Sequence, residues 1–415
     1  MKKIFVYLAQ KIKNAPLLLW AAAGVLPAFF LFWVIPMFFR ADLTIHYPNG
    51  YLPKLTPIGN DLRLALQAAN AWATSRQLTD FIFTPAALAF FMPFIKLEYA
   101  RAYHVFVLLI FLAYLLLAVL ALAWIESKHH AAAVFLLLAS AYSYGAQFEL
   151  ERGQSHSLAL ALLMAALYLF HKIPRARWIS YLLFSLSIQL KFYPALFVVF
   201  FVEDWRAWKT ILIRFGALGL VNFLALFLLG GEYFSQFYAH MLNSAAGGEV
   251  ALGNHSIQSF LAVLSKDGLG ILNGAALTWM RENRAALSYG LNGFVLAGFA
   301  LILALVIRRN QSGVNPNLFL AAVIVSLTLP SVNHDYTLPL LSVPFTLAFI
   351  RWATEEYRWG KFVSAALLVF SAFVYAVTLF PLNHKPLWLN NSLPALLILL
   401  AIAALFSLVE KRRAV

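Results

Sequence analysis

Residues 178–203 read WISYLLFSLSIQLKFYPALFVVFFVE. The run is apolar enough to enter a bilayer, yet Lys191 stands in its middle. A charge at the bilayer centre costs roughly 2.5–3.5 kcal/mol on insertion scales, and the pieces on either side of Lys191 are short. A single continuous span therefore fits poorly. The run reads instead as two half-length helices, 176–190 and 192–203, that meet at Lys191. Such a lysine either snorkels to the interface or has a partner worth the desolvation.

The rest of the chain says which solvent the fold uses. Of 415 residues, 62% are hydrophobic and 12% charged, with a mean hydropathy of +0.78. A soluble domain cannot hide that much apolar surface, so the expected fold is an all-α polytopic membrane protein. Apolar segments recur from end to end, and residues 1–415 read as a single transmembrane domain. There are no cysteines, which excludes disulfides and thiol chemistry. The start, MKKIFVYLAQKIKN and then an apolar stretch, outruns a signal-peptide core and reads as an uncleaved first span.

Twelve spans are expected, near 15–39, 102–125, 131–147, 154–170, 176–190, 192–203, 209–230, 286–307, 316–332, 337–351, 361–380 and 392–409. Residues 84–95 (TPAALAFFMPFI) are too short to cross and are bracketed by prolines, so they read as an interfacial or re-entrant helix. With both termini inside, the inner segments hold 19 Lys/Arg against 6 Asp/Glu, and the outer segments 12 against 11. That asymmetry, +13 inside and +1 outside, follows the positive-inside rule. The net charge of +14 is thus an orientation signal, and no basic-aromatic run suggests nucleic acid.

The unusual polar residues then collect on the outer side. Loop 40–101 carries Asp42 and Asp61, FELERGQSHS carries Glu149, Arg152, Gln154 and His156, and Lys191 sits at its break. Loop 231–285 contains Asn254 and His255, and PSVNHDYTLP contains His334. Each has a bland reading as a solvated or interfacial residue, and Asn254 opens a weak glycosylation sequon. No spacing of these groups suggests a metal site, so no metal or cofactor is expected. Their convergence suits a substrate that is part lipid and part polar. Lys191, Arg152 and His334 can bind a lipid-linked phosphate, and a carboxylate can take a proton from an attacking hydroxyl. Such chemistry moves a sugar from a lipid-phosphate donor outside the cytoplasm. Transport or flipping of lipid-linked glycans is the alternative, and ligation of preassembled glycans a third reading.

Six motifs occur in an order that resembles the GT-C membrane glycosyltransferases, most closely glycosyltransferase family 87. They are NDLRLALQAANAW with Asp61, FTPAALAFFMPF with Thr84 in place of a first proline, ERGQSHSLALALL with Gly153 and Gln154, LKFYPALF with Lys191 and Pro194, GNHSIQSF with Asn254 and Ser256, and VNHDYTLPLL with His334. Ala65 stands where a tyrosine is often found after the acid. The resemblance implies a GT-C-type bundle of about twelve transmembrane helices with juxtamembrane helices on the outer face. It implies transfer of a single hexose or pentose, mannose for example, from a polyprenyl-phosphate donor to a lipid or glycan acceptor, with inversion and without a cofactor. By carry-over Asp61 is the general base and His334 lies near the reacting centre. Lys191, Arg152 and Gln154 would bind the phosphate, and Asn254 and His255 would help close a loop over the donor. Asp42, just after the first span where other GT-C families place their acid, is the alternative base. The expected location is the inner or plasma membrane, with the site facing the extracytoplasmic side.

Overall fold

The computed structural model of the protein describes residues 58–76, 83–246, 253–267, 272–354 and 391–409, together with isolated positions 17, 19, 22 and 26. The expected spans at 15–39 (but for those four positions) and 361–380, and with them Asp42, lie outside the described residues. Within them the fold is all-helical. The one departure is an isolated antiparallel bridge between Asn254 and His334.

The chain opens with α1 (Asn60–Ser75) and the short α2 (Pro85–Phe91), which tightens into a 3₁₀ turn at Met92–Lys96. Pro85 suits the first helical position because its missing N–H would be unpaired there anyway. Thr84 caps the helix by accepting a hydrogen bond from the Ala87 N–H at 3.0 Å. Helices α3 (Tyr99–Leu122), α4 (His130–Ala141), α5 (Tyr144–Arg152), α6 (His156–Lys172) and α7 (Arg177–Leu190) follow. The expected span at 131–147 is in fact broken. Ser143 caps α5 by accepting from the Ala146 N–H, and α4, with the 3₁₀ turn before it, meets α5 at 50°. At nine residues α5 is about 14 Å long, too short to span.

Beyond Lys191 the chain is a 3₁₀ helix, Tyr193–Phe200, where a second half-helix was expected. Then come α8 (Trp208–Ala225), α9 (Gly231–Ala246), α10 (Ile257–Asp267), α11 (Gly274–Arg308), α12 (Pro316–Thr328), a 3₁₀ segment at Asp335–Leu341, α13 (Ser342–Thr354) and α14 (Leu393–Val409). Loop 231–285 is therefore largely helical. With 35 residues α11 extends about 52 Å, longer than a hydrocarbon core of about 30 Å. Its first half carries Arg281, Glu282 and Arg284, so the apolar second half is the spanning part.

Among the described residues, four segments are long and apolar enough to cross a membrane, and five if the bent α4–α5 pair is one span. They are α3, α8, α11 and the segment Asp335–Thr354. Burial sorts the helices into two kinds. In α12 every residue from Asn317 to Thr328 is buried, and α6 buries residues on all sides. Around α8 only Leu218 is buried while Ile213, Leu220 and Phe223 are exposed, as on a lipid-facing helix. A second apolar cluster joins α1, α2 and α3, and α9 lays Tyr233 and Phe237 onto it. The Tyr233 ring stands edge-on to Trp72 at 4.7 Å, and its hydroxyl donates to the Phe83 carbonyl at 2.7 Å. That cluster is the footing of the helix that carries Asp61.

Candidate active site

Asp61 sits in the first turn of α1, and three residues distant from it in sequence form one chain of bonds with it. Arg152 Nη2 meets Asp61 Oδ1 at 2.8 Å, with both side chains mostly buried. The Gln154 amide nitrogen donates to Asp61 Oδ2. Lys191 Nζ donates to Gln154 Oε1 at 2.8 Å. Only one orientation of the Gln154 amide satisfies both neighbours, so the network fixes it. The lysine in the apolar run thus has a neutral amide as its partner, and among the described residues no carboxylate lies in ion-pair range of it. At the break between α7 and the following 3₁₀ helix, burial pulls its ammonium down to about 8, while Asp61 and Glu149 at longer range oppose that shift. Arg152 and Lys191 thus flank Asp61 and Gln154, with the Glu149 carboxyl in electrostatic range of Lys191 and that of Glu151 in range of Arg152 and Asp61.

Two turns of backbone hold this chain in place. Gly59 and Gly153 both adopt left-handed conformations, with φ of 75° and 67°. Gly153 ends α5 in a Schellman motif, its N–H bonding Leu150 O and the Gln154 N–H bonding Glu149 O. A Cβ at Gly153 would come within 2.7 Å of Leu62 Cβ on α1. The two turns also bond directly, the Gly59 N–H donating to Glu151 O at 2.6 Å. From α3, Tyr99 donates to the carbonyls of Ile58 and Gly59, and Tyr103 to that of Leu150. Glu149, fully buried, accepts from the Ser157 N–H at 2.6 Å, the Ser157 hydroxyl and the Tyr114 hydroxyl at 2.8 Å. A buried carboxylate needs such donors, and these tie α5 to α3 and to the first turn of α6.

His334 reaches the same region through rings. Its imidazole lies 5.4 Å from Tyr336, which is 5.6 Å from Phe148 and 5.5 Å from His156. The Arg152 guanidinium covers Phe148 at 5.8 Å. Asn254 and His255 belong to a different assembly, and both are fully buried. Asn254 Oδ1 accepts from the N–H groups of Ser256 and Asn333, its Nδ2 donates to Ser331 O, and its carbonyl accepts from Asn391 Nδ2. His255 Nδ1 accepts from the Ser392 N–H, which leaves Nε2 to face Asp335 Oδ1 at 2.7 Å. These two residues therefore knot the 253–256 turn to the 331–335 turn and to Asn391–Ser392, behind His334.

Tyr99, Tyr103 and Tyr114 support the site yet were not among its expected residues, as tyrosines on an apolar helix give no distinguishing signal. Thr84 was noted only for replacing a proline, and here its hydroxyl donates to the Gln189 carbonyl, one of those freed at the α7 break. Among the described residues no group of three or more His, Asp or Glu side chains is placed to hold a metal ion.

The family model of glycosyltransferase family 87 matches residues 81–332. That is more than half of the chain, and it takes in Thr84, Arg152, Gln154, Lys191, Asn254 and His255; His334 lies just past its end, and Asp61 lies outside it, before residue 81. No curated protein and no solved structure is matched. With α5, the Gly153 turn and the Lys191 break all inside the matched region, the chain belongs to glycosyltransferase family 87, and it is a membrane glycosyltransferase.

Proposed function

We propose that the protein transfers a single hexose or pentose from a polyprenyl-phosphate donor to a lipid or glycan acceptor on the extracytoplasmic face, with Asp61 as general base. The observation that carries this reading is the continuous chain from Arg152 through Asp61 and Gln154 to Lys191. It sets a carboxylate and a lysine ammonium on either side of one amide. The acceptor hydroxyl gives its proton to Asp61 and its oxygen bonds the anomeric carbon, while the carbon–phosphate oxygen bond breaks and the electron pair leaves on the phosphate. Lys191 binds that phosphate, whose charge stabilisation makes it a good leaving group. One base and one displacement invert the anomeric centre. Arg152 aims Asp61 through their ion pair, and His334 approaches from the Tyr336 side.

The topology that goes with this has both termini in the cytoplasm, about twelve spans in one domain and the site at the outer face, as the charge asymmetry favours. Asp42 remains the alternative base. The helix broken at Lys191 is a feature that a transporter of lipid-linked glycans would share. The deciding experiment is transfer by purified protein from a panel of radiolabelled polyprenyl-phosphate monosaccharides, wild type beside Asp61→Asn and Asp42→Asn. Sugar transfer abolished by Asp61→Asn is expected. Full activity in Asp61→Asn removes Asp61 as base. Sugar-independent movement of lipid-linked glycan across liposomes, with no transfer from any donor, establishes the transporter instead.

A further inference from the structure

His156 is held more firmly than any role described so far requires. Its carbonyl accepts from the Tyr193 hydroxyl at 2.9 Å. Its ring stacks on Tyr193, centroids 6.1 Å apart and planes at 21°, and lies 5.5 Å from Tyr336 with planes at 31°. Tyr193 follows Lys191 by two residues and Tyr336 follows His334 by two, so this one imidazole bridges the lysine arm and the histidine arm. Gln154, the link between Asp61 and Lys191, lies two residues before it.

Within that clamp the His156 Nδ1 is buried and has no hydrogen-bond partner among the described residues. A buried polar atom without a partner is unfavourable and calls for a ligand or a catalytic use. In the first turn of α6 the Ser157 N–H is already taken by the Glu149 carboxylate. Gln189 makes a useful contrast. Its Oε1 is also buried and unpaired, but its amide nitrogen already bonds Asn222 on α8.

We infer that His156 is a phosphate ligand, its Nδ1–H donating to an oxygen of the lipid-linked phosphate while Lys191 supplies the charge. This rests on the lipid-phosphate reading of the site and adds a residue to it. A neutral imidazole suffices, since Nδ1 needs only to carry the proton. The Tyr193 and Tyr336 rings restrict the imidazole so that little side-chain freedom is lost on binding.

The test is binding of a labelled short-chain polyprenyl monophosphate to the full-length protein in nanodiscs, with the matching polyprenol, which lacks the phosphate, as control. Neither probe requires the sugar to be known. His156→Phe keeps the stacked ring and removes both nitrogens; it is expected to weaken phosphate binding about 10- to 100-fold, the loss of one hydrogen bond to a charged group, and to leave polyprenol binding unchanged. His156→Asn, which restores an N–H near the same position, is expected to recover part of the loss. The inference is overturned if His156→Phe binds the phosphate as wild type does, or if it loses phosphate and polyprenol alike, the mark of a structural role. If wild type itself does not prefer the phosphate over the polyprenol, the lipid-phosphate reading falls and the inference falls with it.

Discussion

Two polar assemblies stand in this protein, built from similar residues and put to opposite uses. In the Asn254 knot an Asn, a His and an Asp are fully or almost fully buried, and the Asn and His bond chain segments on every side. In the Asp61 chain the side chains keep some exposure, and the lysine meets an amide where an acid would neutralise it. Polar groups bonded between chain segments specify which segments meet. The first assembly should answer to stability measurements and the second to activity.

The largest separation is expected from Asp61→Asn. Removing a general base lowers rates by about 10²- to 10⁴-fold, so kcat should fall in that range while the thermal midpoint moves little. Parallel loss of folding and activity in this variant would erase the distinction between the two assemblies. The reverse pattern is expected of Asn254→Ala. It strands the buried N–H groups of Ser256 and Asn333, each a penalty of about 1–3 kcal/mol. Detergent-solubilised protein should unfold at clearly lower temperature, with the folded fraction still binding donor. A variant of wild-type stability that fails to bind donor would instead put Asn254 in contact with substrate.

Lys191 gives the next effect. Lys191→Met should raise the donor KM about 10- to 100-fold, the worth of one charge-assisted bond, with a smaller change in acceptor KM. The pH dependence carries the same sign. Burial lowers this ammonium to about 8, so phosphate binding is present below that pH and is lost as pH rises through it. In Lys191→Arg the guanidinium stays charged, and the alkaline limb of the donor KM should disappear. An alkaline limb unchanged in Lys191→Arg would assign the titration to another group.

How much of this was legible in the sequence follows from what hydropathy and charge record. The break at Lys191 was readable because a charge interrupts an apolar run and leaves short pieces on either side. The grouping of Asp61 with Arg152, Gln154 and Lys191 was readable only as motif order, since Asp61 and Gln154 lie 93 residues apart. The bend between α4 and α5 was not readable, because Tyr142 and Ser143 do not interrupt hydropathy although Ser143 caps a new helix. The true start of α11 was hidden for a related reason: its first half is polar enough to resemble a loop, and only a search for helical continuity past the membrane finds it. The knot was invisible because its partners at 253–256, 331–335 and 391–392 are separate polar patches that look solvated in sequence. Asn254 and His255 were expected at the donor on the strength of a motif, and the structure shows them buried and bonded to the turn that carries His334.

The smallest effect sharpens the comparison at its boundary, where a structural bond lies beside the site. Thr84 accepts from the Ala87 N–H and donates to the Gln189 carbonyl, so one hydroxyl both starts α2 and closes the end of α7 next to Lys191. Thr84→Val keeps the shape and removes both bonds. Loss of an N-cap alone costs about 1 kcal/mol, and the Gln189 carbonyl adds a similar amount if nothing replaces the donor. Thr84→Pro should be about as well tolerated, because Thr84 already has φ −62°, the angle proline requires. Both variants should lower the midpoint slightly and leave donor KM within about twofold, the scale of a few tenths of a kcal/mol. A large KM change in Thr84→Val with stability intact would mean that the α7 end moves when its cap is lost, and that the position of Lys191 is set from α2 as well as by Gln154.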